Sequence, residues 1–280
     1  MHRIIRFLLA SFFIVDCWWL PTLAAAGDSQ QVKLVALFGH LFAMFGPFFG
    51  ALTAFRLIHK TPFPRLRIGQ QRYYVWAALA MFLVFTIPAT LGLVFGKSIF
   101  LVKALDTFAI TLLATTMILG WLAAMGEEAG WCLYLLSSLQ TKWGKTRAII
   151  FSGIVRGIWH WPVLTGIFMY QAVNGDIALG ELALRSLGIA IQLMVSNVFF
   201  GALFGWLWYK TESLPLLGWM HICYDVARDT SFVLVIGFQA SAFFPLWAIP
   251  FNIIAFVLLM GIARREGVTF KNLFSRPSNT

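Results

Sequence analysis

The sequence predicts an all-α fold, a polytopic transmembrane helical bundle of about eight helices forming a single transmembrane domain over residues 1–280. Three observations carry that expectation. Hydrophobic residues make up 60% of the chain and charged residues only 11%, with mean hydropathy +0.82; ordinary soluble domains carry about a quarter charged residues. Apolar runs of about 20 residues recur from end to end, each able to cross a hydrocarbon core about 30 Å thick. The basic residues fall mainly in alternate connections, as membrane topology requires. Strand alternation of the outer-membrane barrel kind is absent from the sequence.

The helical segments read as 4–25, 32–57, 73–95, 99–138, 146–170, 181–209, 214–237 and 243–263. The first opens "MHRIIRFLLASFFIVDCWWLPTLAAAG", whose basic start, apolar middle and small residues also describe a secretory signal. Asp16 and the bulky "CWWLP" interrupt that apolar middle, which favours a retained first helix over residues 1–26. The second segment ends at a connection crowded with Arg56, Lys60, Arg65, Arg67 and Arg72. The third is a clean apolar run. The fourth is too long for one simple crossing, so it should tilt, break or leave the bilayer; it ends near Lys142, Lys145 and Arg147. On the opposite side, "GDSQQ" (27–31) and "QAVNGDIALGE" (171–181) are neutral or acidic. Lys210 precedes the seventh segment, and Arg264, Arg265, Lys271 and Arg276 follow the eighth.

This pattern puts both termini in the cytoplasm, and the expected location is a bacterial inner (plasma) membrane with the lipid bilayer as partner. It also accounts for the formal charge of +10 without nucleic acid. Cys17, Cys132 and Cys223 all lie in apolar segments, which excludes a disulfide framework or a CxxC metal site.

A charge inside such spans costs about 2.5–3.5 kcal/mol on insertion scales and normally faces a protein interior, a partner or water. The charged residues in question are Asp16, Asp106, Glu127, Glu128, Arg156, Asp225, Arg228 and Asp229, with His40, His160 and His221 as titratable company. At about 1.5 Å rise per residue, Glu127 lies roughly 22 Å before Lys142 and His160 roughly 20 Å after Arg147. His221 and Asp225 lie roughly 10 and 16 Å past Leu214. Acids and imidazoles on separate segments are thus expected at similar depths, around a catalytic core of about 99–240. Within a helix, Glu128 and Cys132, Arg156 and His160, and His221 and Asp225 are each four apart and share a face. Two glutamates and two histidines can bind a divalent ion, or position a water and take its proton.

These motifs resemble the CPBP intramembrane proteases, the group of type II CAAX prenyl endopeptidases and Abi-type proteins. That family shows EExxxR, then FxxxH, then HxxxN or HxxxD. The corresponding stretches here are "EEAGWC" (127–132), "RGIWH" (156–160) followed by Trp161 and Pro162, and "HICYD" (221–225). Upstream, "MFGPFFGALTAFRL" (44–57) is similar to the family's second helix. The resemblance implies a membrane-embedded endopeptidase acting on a peptide or membrane-protein substrate. Glu127 would activate water, assisted by His160 and supported by Glu128, while His221 and Asp225 would stabilise the oxyanion. It leaves metal dependence open: a divalent ion such as zinc would fall to Glu127, His160 and His221.

The sequence departs from the pattern twice, with Cys132 in the motif arginine position and Arg156 where an aromatic is usual. The expectation is a swap, in which Arg156 supplies the guanidinium absent at Cys132. The alternative is a catalytically inactive member serving as a membrane immunity or scaffold protein. A transporter would also use buried acids and histidines, but no inverted repeat or pair of broken helices is visible.

Overall fold

The computed structural model describes residues 3–12, 43–97, 99–100, 107–173, 175, 177–236 and 248–269. Asp16, Cys17, His40, Asp106, Lys271 and Arg276 lie outside these residues. The fold is all-α. The described helices are α1 (3–12), α2 (Gly46–Thr53), α3 (Gln71–Val94), α4 (Thr107–Glu128), α5 (Ser137–Val173), α6 (Leu179–Thr211), α7 (Leu214–Leu234) and α8 (Ala248–Arg265). Two π-helical stretches extend this set: Ala54–Ile58 continues α2, and Ala129–Leu136 joins α4 to α5.

The expected segments are all represented among the described residues, with two local corrections. The fourth does not begin at 99: Ile99–Phe100 pairs antiparallel with Val235–Ile236, and the described helix runs from Thr107. The seventh gives way to that same two-residue ladder after Leu234. Both strands are built from β-branched and aromatic residues, which suit extended backbone. The long fourth segment is broken by the π-helical turn. Its boundary with the fifth is Gly144, whose φ of 77° and ψ of 168° stop the helix. Glu266 accepts from the Lys145 and Thr146 backbone N–H groups at 2.6 and 2.8 Å, satisfying donors exposed where the helix restarts.

The chain divides into two compact units, Met1–Arg65 with Gly126–Trp206 and Val257–Thr280, and Leu66–Met125 with Leu207–Phe256. In the first unit, α5 packs on α6 through small residues. A Cβ on Gly157 would meet Met194 backbone atoms at 2.6 Å, and one on Gly153 would meet the Val198 Cα at 2.5 Å. Such close backbone approach suits helices that gain no hydrophobic advantage from each other in lipid. Because Gly157 lies between Arg156 and His160, this contact also fixes where both side chains emerge.

In the second unit, α3 lies along α7. Its buried residues Ala77, Met81, Phe85, Pro88, Ala89 and Gly92 form one stripe. Trp76, Leu79, Leu83 and Ile87 on the remaining faces are exposed. Only 33% of the most apolar window of α3 is buried, and 28% of that of α6. Both helices are long and apolar enough to cross a membrane, and their apolar surface points outward rather than into a core. Ser213 caps α7 by accepting from Leu216 N–H at 3.3 Å, with Pro215 in the first turn. Trp219 and Trp121 donate to the Tyr74 and Pro215 carbonyls at 3.0 and 2.9 Å.

Gly157→Val should force α5 and α6 apart and destabilise the protein by about 1–3 kcal/mol, the usual cost of overpacking. A lower thermal unfolding midpoint in detergent, compared with Gly188→Val at a site where a Cβ meets nothing, checks this.

Candidate active site

Glu127 and Glu128 end α4 and are both buried, at 2% and 0% exposure. A bare pair of carboxylates in that position would be costly. Arg156, itself 4% exposed, reaches across from α5: its Nη2 donates to Glu128 Oε1 at 2.7 Å and to Glu127 Oε1 at 3.0 Å. The guanidinium lies over the Phe200 and Phe204 rings of α6, 4.6 and 5.6 Å from their centroids. Those two rings stack on each other at 4.0 Å. The cation is thus held by charge on one side and aromatic faces on the other.

Cys132 and Trp131 each reach back one turn. The Cys132 thiol donates to Glu128 Oε2 at 3.2 Å, and Trp131 Nε1–H donates to Glu127 Oε1 at 3.1 Å. The chain is π-helical here rather than α-helical, a geometry frequent at functional sites. His160 follows Arg156 by one turn, and its Nδ1 lies 2.8 Å from the Arg156 carbonyl oxygen. A carbonyl only accepts, so Nδ1 carries the proton. The other ring nitrogen, Nε2, stands 4.0 Å from Glu127 Oε1. That is beyond direct hydrogen-bond range and within the span one shared water bridges.

The first unit therefore brings together Glu127, Glu128, Arg156 and His160. His221 and Asp225 lie in the second unit on α7, with His221 Nε2 3.5 Å from Asp225 Oδ2. Arg228 Nη1 reaches Asp225 Oδ1 at 3.0 Å and its guanidinium lies 5.7 Å from the Tyr224 ring centroid. Asp225 thus receives both its i−4 imidazole and its i+3 arginine, and His221 is 6% exposed.

Residues 109–227 match the family model described as Type II CAAX prenyl endopeptidase Rce1-like. The chain is also similar to "CAAX prenyl protease 2" of Methanococcus maripaludis, at 35% identity over 78 residues. That stretch covers 26% of this chain and 29% of the relative, so less than a third of the relative's length is matched. These matches support a CPBP family assignment. The matched region holds all three motifs, from Glu127 to Asp225, and both CPBP departures, Cys132 and Arg156, lie within it.

Three side chains in this arrangement were not singled out from sequence. Trp131 sits at i+4 from Glu127, a spacing that was available to read. Phe200 and Phe204 also stand four apart, but nothing in the apolar run 198–208 around them says which face meets α5.

Arg156→Ala should leave two buried carboxylates without their shared cation and destabilise the protein by roughly 3–5 kcal/mol, as removal of one partner of a buried pair does. Because the Cys132 thiol already touches Glu128, an arginine from position 132 has the same carboxylate within reach. Adding Cys132→Arg to Arg156→Ala should therefore recover part of the loss. Thermal unfolding of the single and double variants measures both effects; a double variant no better than the single would reject the swap.

Proposed function

We propose that this chain is an intramembrane endopeptidase of the CPBP/CAAX-protease type, hydrolysing a peptide bond in or near the bilayer. The observation that carries the reading is the approach of His160 Nε2 to Glu127 Oε1 at 4.0 Å, beside a cluster of buried charge. Glu127 takes a proton from water held between them, with His160 assisting. The water oxygen bonds to the scissile carbonyl carbon, and the proton passes on to the departing amine as the C–N bond breaks. Glu128 and Arg156 hold the Glu127 carboxylate in place. His221 and Asp225 take the oxyanion-stabilising role on the strength of their motif alone. The substrate is a peptide or membrane-protein segment, and the protein sits in the plasma membrane with both termini cytoplasmic, as the basic connections favour.

The donor set argues for carboxylate-driven hydrolysis. Glu127 Oε1 already accepts from a guanidinium at 3.0 Å and an indole at 3.1 Å. A divalent ion on that oxygen would sit beside a fixed positive charge.

The second reading, an inactive member serving as a scaffold or immunity protein, is favoured by Cys132 in the arginine position of the motif. Cleavage of a membrane-tethered peptide library by purified protein in lipid separates the two. Under the protease reading Glu127→Gln lowers turnover by about 10²–10⁴, and cleavage survives a chelator. Equal background from wild type and Glu127→Gln supports the scaffold; loss on chelation with return on added zinc replaces the metal-free mechanism.

A further inference from the structure

The N-terminal helix α1 lies outside the region matched by the family, yet it is built against the π-helical turn that follows the glutamate pair. Phe7 is fully buried, with its ring 4.7 Å from Tyr134 and edge-on to Trp131 at 6.3 Å. Trp131 is the residue whose indole N–H holds Glu127 Oε1. Behind Phe7, α2 closes the contact by placing Gly50 against Phe7 and Ser11. Ser11 is also fully buried, and its hydroxyl donates to the Phe7 carbonyl at 2.9 Å.

A second connection runs beside the first. Arg3 Nη1 lies 3.1 Å from His59 Nδ1, and His59 Nε2 lies 3.2 Å from the Tyr134 hydroxyl. An arginine N–H only donates, so Nδ1 must hold a lone pair and Nε2 the proton. One neutral tautomer of His59 satisfies both bonds; the imidazolium breaks the bond to Arg3. Burial first, then the Arg3 guanidinium, lowers the His59 pKa below the usual histidine value.

We infer that α1 is a working part of the site, in which Phe7 and the Arg3–His59–Tyr134 chain brace the π-helical turn so that Trp131 keeps Glu127 aimed. Phe7, Arg3, His59 and Tyr134 are positioning residues, since none touches the carboxylates. The physical need is clear: a π-helical turn is a rare backbone state found mostly as single turns, so neighbours must favour it. This inference rests on the reading of Glu127 as the base, and its test keeps the two separable.

The same arrangement predicts a pH dependence. Among the described residues, the titratable and charged groups facing His59 are Arg3 from α1 and Tyr134 from the π-helical turn, with Arg56 and Lys60 the cations on its own stretch. Because the folded-state pKa is lowered, the brace is intact above the ordinary histidine range and weakens as pH falls through the lowered value. His59→Gln retains one acceptor and one donor and takes up no proton.

The experiment uses the full chain in lipid nanodiscs, with Phe7→Leu, Tyr134→Phe, His59→Gln and wild type. Amide hydrogen exchange across residues 127–136 is read beside cleavage of a membrane-tethered peptide. Phe7→Leu keeps apolar bulk, so the protein should fold, while exchange in that stretch rises and kcat falls roughly tenfold with KM within about twofold. Tyr134→Phe should show the same direction more weakly. His59→Gln should hold wild-type exchange at neutral pH and lose the rise that wild type shows on acidification. Wild-type exchange and kcat in Phe7→Leu would overturn the inference, as would a rise in exchange equal in α3 and in 127–136. Absence of cleavage by wild type would overturn the protease reading, and the exchange comparison would still decide the brace.

Discussion

The arrangement of the first unit depends on one ion cluster: a single guanidinium shared by two adjacent buried carboxylates. Neither acid is tolerable alone where the flanking sequence is "AMG" before and "AGW" after. Desolvating a carboxylate costs several kcal/mol even after relaxation, and two side by side repel. Arginine answers this better than lysine, since its planar fork stays charged and carries several donors at fixed angles. Arg156 reaches both glutamates through one nitrogen, Nη2, and it offers its face to Phe200 and Phe204 where a hydrated lysine would resist burial.

Much of the surrounding framework was legible in the sequence, because it follows from hydrophobic length and charge placement. The eight segments, the break between the fourth and fifth, and the i,i+4 relations of Glu128 to Cys132 and Arg156 to His160 all come from periodicity. Other features depend on tertiary packing and carry little local signal. The π-helical register from Ala129 to Leu136 is one. Its residues are ordinary helix formers, and a shift of one hydrogen-bond step is decided by what presses on the turn. The strand at Ile99–Phe100 is another, since both residues read as continuous apolar helix until a partner strand 135 residues later is known. The aromatic floor under Arg156 is a third. Around Phe200 and Phe204 the run 198–208 is apolar on every face, so the sequence cannot say which one meets a neighbour.

The two charged clusters, each within its own unit, differ in kind. Around Glu127 the contacts are short and come from three elements: α5 through Arg156 and His160, the π-helical turn through Trp131, and α6 through the aromatic faces. Asp225 meets two groups of its own helix, His221 one turn before and Arg228 one turn after. A cluster assembled from several elements is stiff, because each group is held from a different direction. A cluster assembled on one helix keeps its internal geometry while the helix moves. On the proposed mechanism, stiffness belongs with the base, whose aim sets the reaction trajectory. An oxyanion partner that travels as a unit can meet charge as it develops.

Placing the guanidinium at position 156 rather than 132 has a mechanical consequence. At 132 it would sit on the same stretch of chain as the acids it neutralises, an intrahelical contact that does nothing for packing between helices. From α5 the same ion pair becomes an interhelical tie. Helices in lipid gain no hydrophobic advantage from meeting, so packing and cross-helix hydrogen bonds carry their association. Arg156 ties α5 to the glutamate pair one residue before Gly157 lets α5 approach α6. Neutralisation of the acids and registration of α5 are therefore one interaction here. His160, a single turn further along α5, inherits its 4.0 Å distance to Glu127 from that register. On the proposed mechanism, charge balance and the geometry at Glu127 therefore stand or fall together.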